Sequence, residues 1–249
     1  MSRGWPEPAA RWALIFAFAA LGCDGEAPVE VQRGSAVEHG RALFEDPKVS
    51  SSPINSYACS TCHAALPSGV EQNKPGAVMA GAVARPSYWG GKELDLLGAI
   101  NHCLFYFMLH NGWTAEQEQA KALYAWLESL PASEADRQAV PFTVVQDIVD
   151  APEGDAARGA DTYARSCKFC HGDARTGQNR AIAAAPRLPG EFLAEHPDSE
   201  YTPTQRRMTL IEKMRHGGFL GYGGEMPPFA LEKLSSAEVA DIVAYLGPY

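Results

Sequence analysis

The spacing of apolar positions changes several times along the chain, and each change marks a boundary. A continuous apolar run, residues 12–20, follows Arg3 and Arg11 and leads through small residues to Cys23. It is shorter than the roughly 20 residues that a membrane span needs, and it has the build of an export signal over residues 1–22. Residues 23–34 carry Pro28 and Gly34 without any period and read as a tether. Helical spacing sets in at Ser35, through Val37, Gly40, Ala42, Leu43 and Phe44, and Ser35 with Glu38 predicts a capping box there. Residues 46–58, rich in Ser, Pro and Asn, predict a loop. Helical spacing returns over residues 94–109, through Leu96, Leu97, Ile100, Cys103, Leu104 and Phe107. A further helix is expected over residues 114–130, opened by Thr114 as N-cap and stopped by Pro131.

Beyond Pro131 the pattern loosens. Residues 132–153 hold Pro141 and Pro152 around an extended-looking stretch, 142–149, and predict a connector packed against its neighbours. Helices are then expected near residues 156–163, 204–216 and 236–246, with the turn Gly223-Gly224-Glu225-Met226-Pro227-Pro228-Phe229 before the last. The two stretches 35–131 and 154–249 repeat one another. Gly40 and Phe44 answer to Gly159 and Tyr163, Pro86 to Pro186, and Ala125-Trp126-Leu127 to Ala244-Tyr245-Leu246. A repeat of this length argues for duplication of one domain.

At 249 residues and 46% hydrophobic content, the chain is long enough for a packed core in each copy. The formal charge is −9, and −10 without residues 1–22, so nucleic acid is excluded as an expected partner. No hydrolase nucleophile motif, phosphate loop or nucleotide fingerprint occurs. The chemistry concentrates in two copies of one pattern, Cys59-Ser60-Thr61-Cys62-His63 and Cys167-Lys168-Phe169-Cys170-His171. Cys-x-x-Cys alone also suits a redox dithiol or half a zinc site. With histidine directly after it, the pattern is the attachment signature of c-type haem: two thiols reach two vinyl groups and the imidazole reaches the iron. Two haem c groups are the expectation.

Each half then resembles a class I cytochrome c domain. The resemblance implies an all-α fold of two tandem domains joined by a short extended connector. It implies that the first and last helices of each domain cross at the small residue, and that a methionine on a late loop binds the iron opposite the histidine. Met226, in its Gly/Pro turn, matches that loop, and Pro186, with Pro86 as its counterpart, matches the proline whose carbonyl steadies the imidazole. The implied metal ligands are His63 and Met108 for the first haem and His171 and Met226 for the second. Met108 is favoured because counting back from Trp126 and Tyr245 brings it within one residue of the place of Met226. Met79, Cys103, His102, His110 and His39 are the other donors available in the first half. Cys103 and Met108 point about 140° apart on a straight helix, so they do not share one iron.

Two further resemblances bear on function. Ala20-Leu21-Gly22-Cys23 is similar to a bacterial lipoprotein box, with Cys23 as the lipidated residue, which implies a protein held on the periplasmic side of a bacterial membrane. Ile100-Asn101-His102-Cys103 followed by Met108 resembles a segment of the dihaem thiosulfate dehydrogenases, some of which place a cysteine sulfur on iron. The leading expectation is a dihaem electron carrier with redox-protein partners and no catalytic residues of its own. A haem-dependent oxidoreductase of the thiosulfate type and a haem subunit of a larger respiratory complex are the alternatives.

Overall fold

The structure, a computed structural model, describes residues 29–67, 72–218 and 225–247. The apolar run 12–20 and the lipidation candidate Cys23 lie outside them. Among the described residues the protein is helical, with no strand beyond a single isolated bridge between Tyr88 and Glu93. The helices are α1 Val29–Glu45, α2 Cys59–Cys62, α3 Leu96–Met108, α4 Glu118–Ser129, α5 Ala156–Ser166, α6 Lys168–His171, α7 Gly190–Glu195, α8 Pro203–His216 and α9 Ser236–Leu246.

Two helix crossings organise the molecule. Helix α1 packs on α4, and α5 on α9. Each crossing closes at a glycine: a methyl group on Gly40 would lie 2.0 Å from the Ala122 carbonyl oxygen, and one on Gly159 would lie 1.9 Å from that of Asp241. No side chain fits there, so the backbones touch, and aromatic rings pack one turn further along. Phe44 and Trp126 have ring centroids 4.5 Å apart, and Tyr163 and Tyr245 5.6 Å apart.

Local chemistry explains most of the helix ends. Asp95 caps α3 by accepting from Gly98 N, at 2.7 Å. Helices α8 and α9 open with capping boxes, Thr202 with Gln205 and Ser235 with Glu238. Two expectations fail, and one helix was not expected. Helix α1 starts at Val29, so Ser35 lies inside it and the last residues assigned to the tether are helical. Thr114 does not cap α4, which begins at Glu118; instead Thr114 and Gln117 close a separate turn, the Thr114 N–H donating to Gln117 Oε1 at 2.8 Å. The short helix α7 had no signal in the apolar spacing.

Apart from one 3-10 turn at Ala135–Arg137 the connector has no regular structure, and although much of it is exposed it is anchored at several points. Phe142 lies edge-on to Trp89, with centroids 5.3 Å apart. Thr143 N donates to Glu232 Oε2 at 2.9 Å, and Leu231 N donates back to the Thr143 carbonyl at 3.1 Å. Ile148 packs on the core of the second half. The two cores also meet directly, because Ile182, Cys170 and Ala185 pack with the first-half cluster of Phe44, Leu104, Met108 and Trp126.

Candidate functional site

Cys59 and Cys62 form the single turn of α2, held at its start by the Thr61 hydroxyl, which accepts from Ala58 N at 3.1 Å. The turn points both thiols the same way, and His63 leaves it in extended conformation. No disulfide joins any of the five described cysteines. His63 Nδ1 is 2.7 Å from the Ala77 carbonyl oxygen. A carbonyl only accepts, so Nδ1 carries the proton and Nε2 keeps its lone pair for a metal. Burial holds the His63 pKa below its ordinary value, which keeps the ring neutral, as ligation requires. Gly76 allows this clamp, since a methyl there would meet His63 Cε1 at 2.4 Å.

Cys59, Cys62 and His63 line a deep apolar cavity of about 190 Å³. It exceeds the roughly 150 Å³ apolar cavity that accepts benzene in an engineered protein core. Leu96, Ile100, Leu104 and Phe107 of α3 and Leu123 and Leu127 of α4 supply much of the wall. Three further sulfurs reach it: Met79, Cys103 and Met108. Met79 sits two residues after the carbonyl that holds His63 and donates its N–H to Ala64, so it belongs to the histidine's own side. Met108 is buried at the end of α3, and Cys103 is one and a half turns earlier on the same helix. Burial raises the pKa of all three thiols in this cavity, to about 11 for Cys59 and about 12 for Cys62, with Cys103 higher still. His39 and His102 are exposed, and His110 accepts from Gly112 N, at 2.9 Å; none of the three lines the cavity.

Pro86 does not hold the first histidine; it is exposed and outside the lining, and the Ala77 carbonyl takes its place. Arg85, beside it, is buried in the wall, its Nη2 donating to the Val78 and Ala80 carbonyls at 2.7 and 2.8 Å and its Nε to Asp136 O at 3.0 Å. These bonds fold residues 78–80 back around the guanidinium, which sets the path of the chain leaving Ala77.

In the second half α5 runs almost without a break into α6, and Cys167 lies at the junction. His171 is buried, with Nδ1 2.9 Å from the Pro186 carbonyl oxygen, so the tautomer argument applies again. Burial pushes the Cys167 thiol up to about 12 and the His171 imidazole down. Met226 is partly buried against the second core, with Tyr163, Phe229 and Leu234 among that cluster. Its carbonyl accepts from Gly218 N at 2.9 Å. The guanidinium of Arg215, 2% exposed, donates through Nη1 to Phe229 O and Leu234 O, while its Nη2 has no hydrogen-bond partner among the described residues. A buried donor in that condition suits an anionic group.

The first cavity is completed by the second half. Pro227, Pro228, Ala230 and Lys233, all from the stretch between Met226 and α9, line it. Sequence reasoning placed Pro227 and Pro228 in the Met226 turn but not at the first cavity, and it found neither Gly76 nor Ala77. A glycine in an irregular stretch shortly after the motif is a usable signal for Gly76; nothing local marks Lys233.

The residues fit covalent haem at both motifs: thiols one turn apart, a neutral imidazole with a free Nε2, and an apolar wall at the first. Comparisons with known proteins agree for the second. Residues 154–246 match the family described as cytochrome C oxidase, cbb3-type, subunit III. No curated protein matches the chain. Among solved structures, the chain is similar to thiosulfate dehydrogenase (TsdBA) from Marichromatium purpuratum in its "as isolated" form, at 18% identity and a TM-score of 0.40. The likeness covers 89% of this chain and 46% of that one, so the chain spans about half its length. Residues 154–246 therefore form a cytochrome c-type domain, a kind of domain that implies covalently bound haem c.

Proposed function

We propose that the protein is a dihaem cytochrome c that passes single electrons between redox proteins. The observation that carries this reading is the doubled motif geometry: in each half two cysteines on one turn precede a histidine whose Nδ1–H is committed to a carbonyl, at Ala77 and at Pro186. Haem, when bound, supplies a one-electron iron couple. The chain supplies the rest. The thiols tether the ring, the carbonyls fix imidazole orientation and basicity, and the apolar wall excludes water and so sets the potential. Met226 and Met108 are the proposed opposite ligands, and thioether ligation at both closes the irons to substrate. Residues 35–131 and 154–249 are proposed as tandem domains, and Cys23 as a lipid anchor on the periplasmic side of a bacterial membrane.

Haem content per chain tests it, by pyridine haemochrome absorbance against protein concentration, with near-infrared magnetic circular dichroism for the ligands. Two haems with two His/Met signatures support an electron carrier; one haem overturns it. A second reading is favoured by one observation, that Cys103 shares the cavity wall with Cys59, Cys62 and His63. In that reading the first haem is the catalytic centre of a thiosulfate-type oxidoreductase. Thiosulfate oxidation lost in Cys103→Ser with both haems retained would establish it, and no turnover would remove it.

A further inference from the structure

The stretch that clamps His63 also reaches the second motif. Lys74 Nζ donates to the Ser60 carbonyl and lies 5.7 Å from the centroid of the Phe169 ring. Ser60 is one of the two residues between Cys59 and Cys62, and Phe169 is one of the two between Cys167 and Cys170. One ammonium thus touches both attachment motifs. Its neighbour in the chain is pinned to the second half by three bonds: Asn73 N–H donates to Arg165 O at 3.0 Å, and its side-chain amide donates to Ser166 Oγ at 3.2 Å and Lys233 O at 2.5 Å. Two residues further on, Gly76 N donates to the Cys62 carbonyl at 2.9 Å. Lys74 is therefore fixed from both sides. It is half-buried, and no carboxylate pairs with it among the described residues.

We propose that Lys74 is an electrostatic group shared by the two haem sites, raising the reduction potential of both from a fixed position between their attachment edges. The inference rests on the reading of one haem at each motif. Reduction adds one negative charge to a site, and a nearby cation favours the reduced state. With an effective dielectric constant of ~20 and a separation of ~10 Å, one charge changes a reduction equilibrium by about tenfold, or ~59 mV for one electron. Solvent at the half-buried ammonium lowers this to several-fold. The cation–π contact with Phe169 keeps the charge on the second motif when the side chain would otherwise turn to water.

The test is a spectroelectrochemical titration of the full-length, haem-loaded protein, each haem followed by its own magnetic circular dichroism band. Lys74→Gln and Lys74→Met are expected to lower both reduction equilibria by about three- to tenfold. Lys74→Arg should stay within about twofold of wild type, and Lys92→Gln, a change at an exposed lysine, should leave both unchanged. Two haems with one or neither equilibrium moved in both neutral variants overturns the shared role and leaves the dihaem reading standing. A single haem in the wild-type protein overturns both.

Discussion

The two motifs each follow the first helix of an equivalent crossing but are reached by different routes. In the second half α5 delivers Cys167 directly, and α6 follows at once. In the first half a loop separates α1 from α2, tied down by Asn55, whose amide donates to Pro47 O at 2.7 Å and Tyr57 O at 2.8 Å. The histidine clamps differ too: Pro186 holds its own carbonyl's direction through a fixed backbone angle, whereas Ala77 depends on Gly76 letting the chain pass close and on Arg85 folding the next residues back. The second half thus holds its histidine with a carbonyl that proline geometry helps to fix. The first is an open cavity finished by residues of the other half. The comparison teaches that the crossing is the common scaffold, while the ligand environment is free to diverge.

The largest expected effect separates the two sites outright. Cys59→Ala with Cys62→Ala should remove one covalent haem, and Cys167→Ala with Cys170→Ala the other, each read as a halved haem stain and mass increment on the intact chain. Retention of two haems in either double variant would break the reading. Next come the crossings. Gly40→Ala and Gly159→Ala each force a methyl to within about 2 Å of a carbonyl oxygen, and each should destabilise its half by ~3 kcal/mol or more in denaturant melts. Equal losses would sharpen the equivalence of the crossings.

Gly76→Ala has a narrower target. The added methyl displaces the His63 ring, so the low-spin signal of the first haem should weaken or shift while that of the second stays. A change at the second haem instead would contradict the assignment of Gly76 to the first clamp.

The smallest effect distinguishes the crossings by pH. At the place where α4 carries Ala122, α9 carries Asp241, which accepts from Arg158 Nε at 2.8 Å and Nη2 at 2.9 Å and from Asp155 N at 2.6 Å. The Arg158 hydrogen bonds hold the Asp241 pKa below its usual value. A depressed folded-state value contributes stability above the unfolded value of about 3.9 and loses it as pH falls through the folded one. The Asp241 side chain is 5% exposed but that of Arg158 is 66% exposed, so solvent screens the pair and its contribution is small. Asp241→Asn should abolish this part of the acid sensitivity of the second half and leave the first unchanged, as measured by melting temperature while pH falls from about 5 to about 2, an interval that begins above the ordinary Asp value of ~3.9 and ends below it.

Much of this was legible in residue order. Gly40 with Phe44 and Gly159 with Tyr163 marked the repeat, and the family resemblance implied a helix crossing at each glycine, which the close backbone approach and the ring packing bear out. The motifs declared their chemistry because thiol spacing and an adjacent imidazole are local properties of one turn. Helix α9 lies where it was expected, near residues 236–246, and Ser235 with Glu238 caps its start.

The rest was decided by tertiary structure. Thr114 and Ser35 had the right chemistry for caps, yet a turn closed by Gln117 and an earlier helix start took their places. Pro86 matched Pro186 by order, but the fold brought Ala77 to the imidazole. Lys74, Asn73 and Lys233 carried no sequence signal, because their roles depend on contacts with residues as far as 160 positions away. Periodicity and motif spacing report what a chain does within a few turns of itself. Which half closes the other's cavity, and which charge lies between the motifs, depends on how the two cores dock, and that is a property of surfaces that exist only once each half has folded.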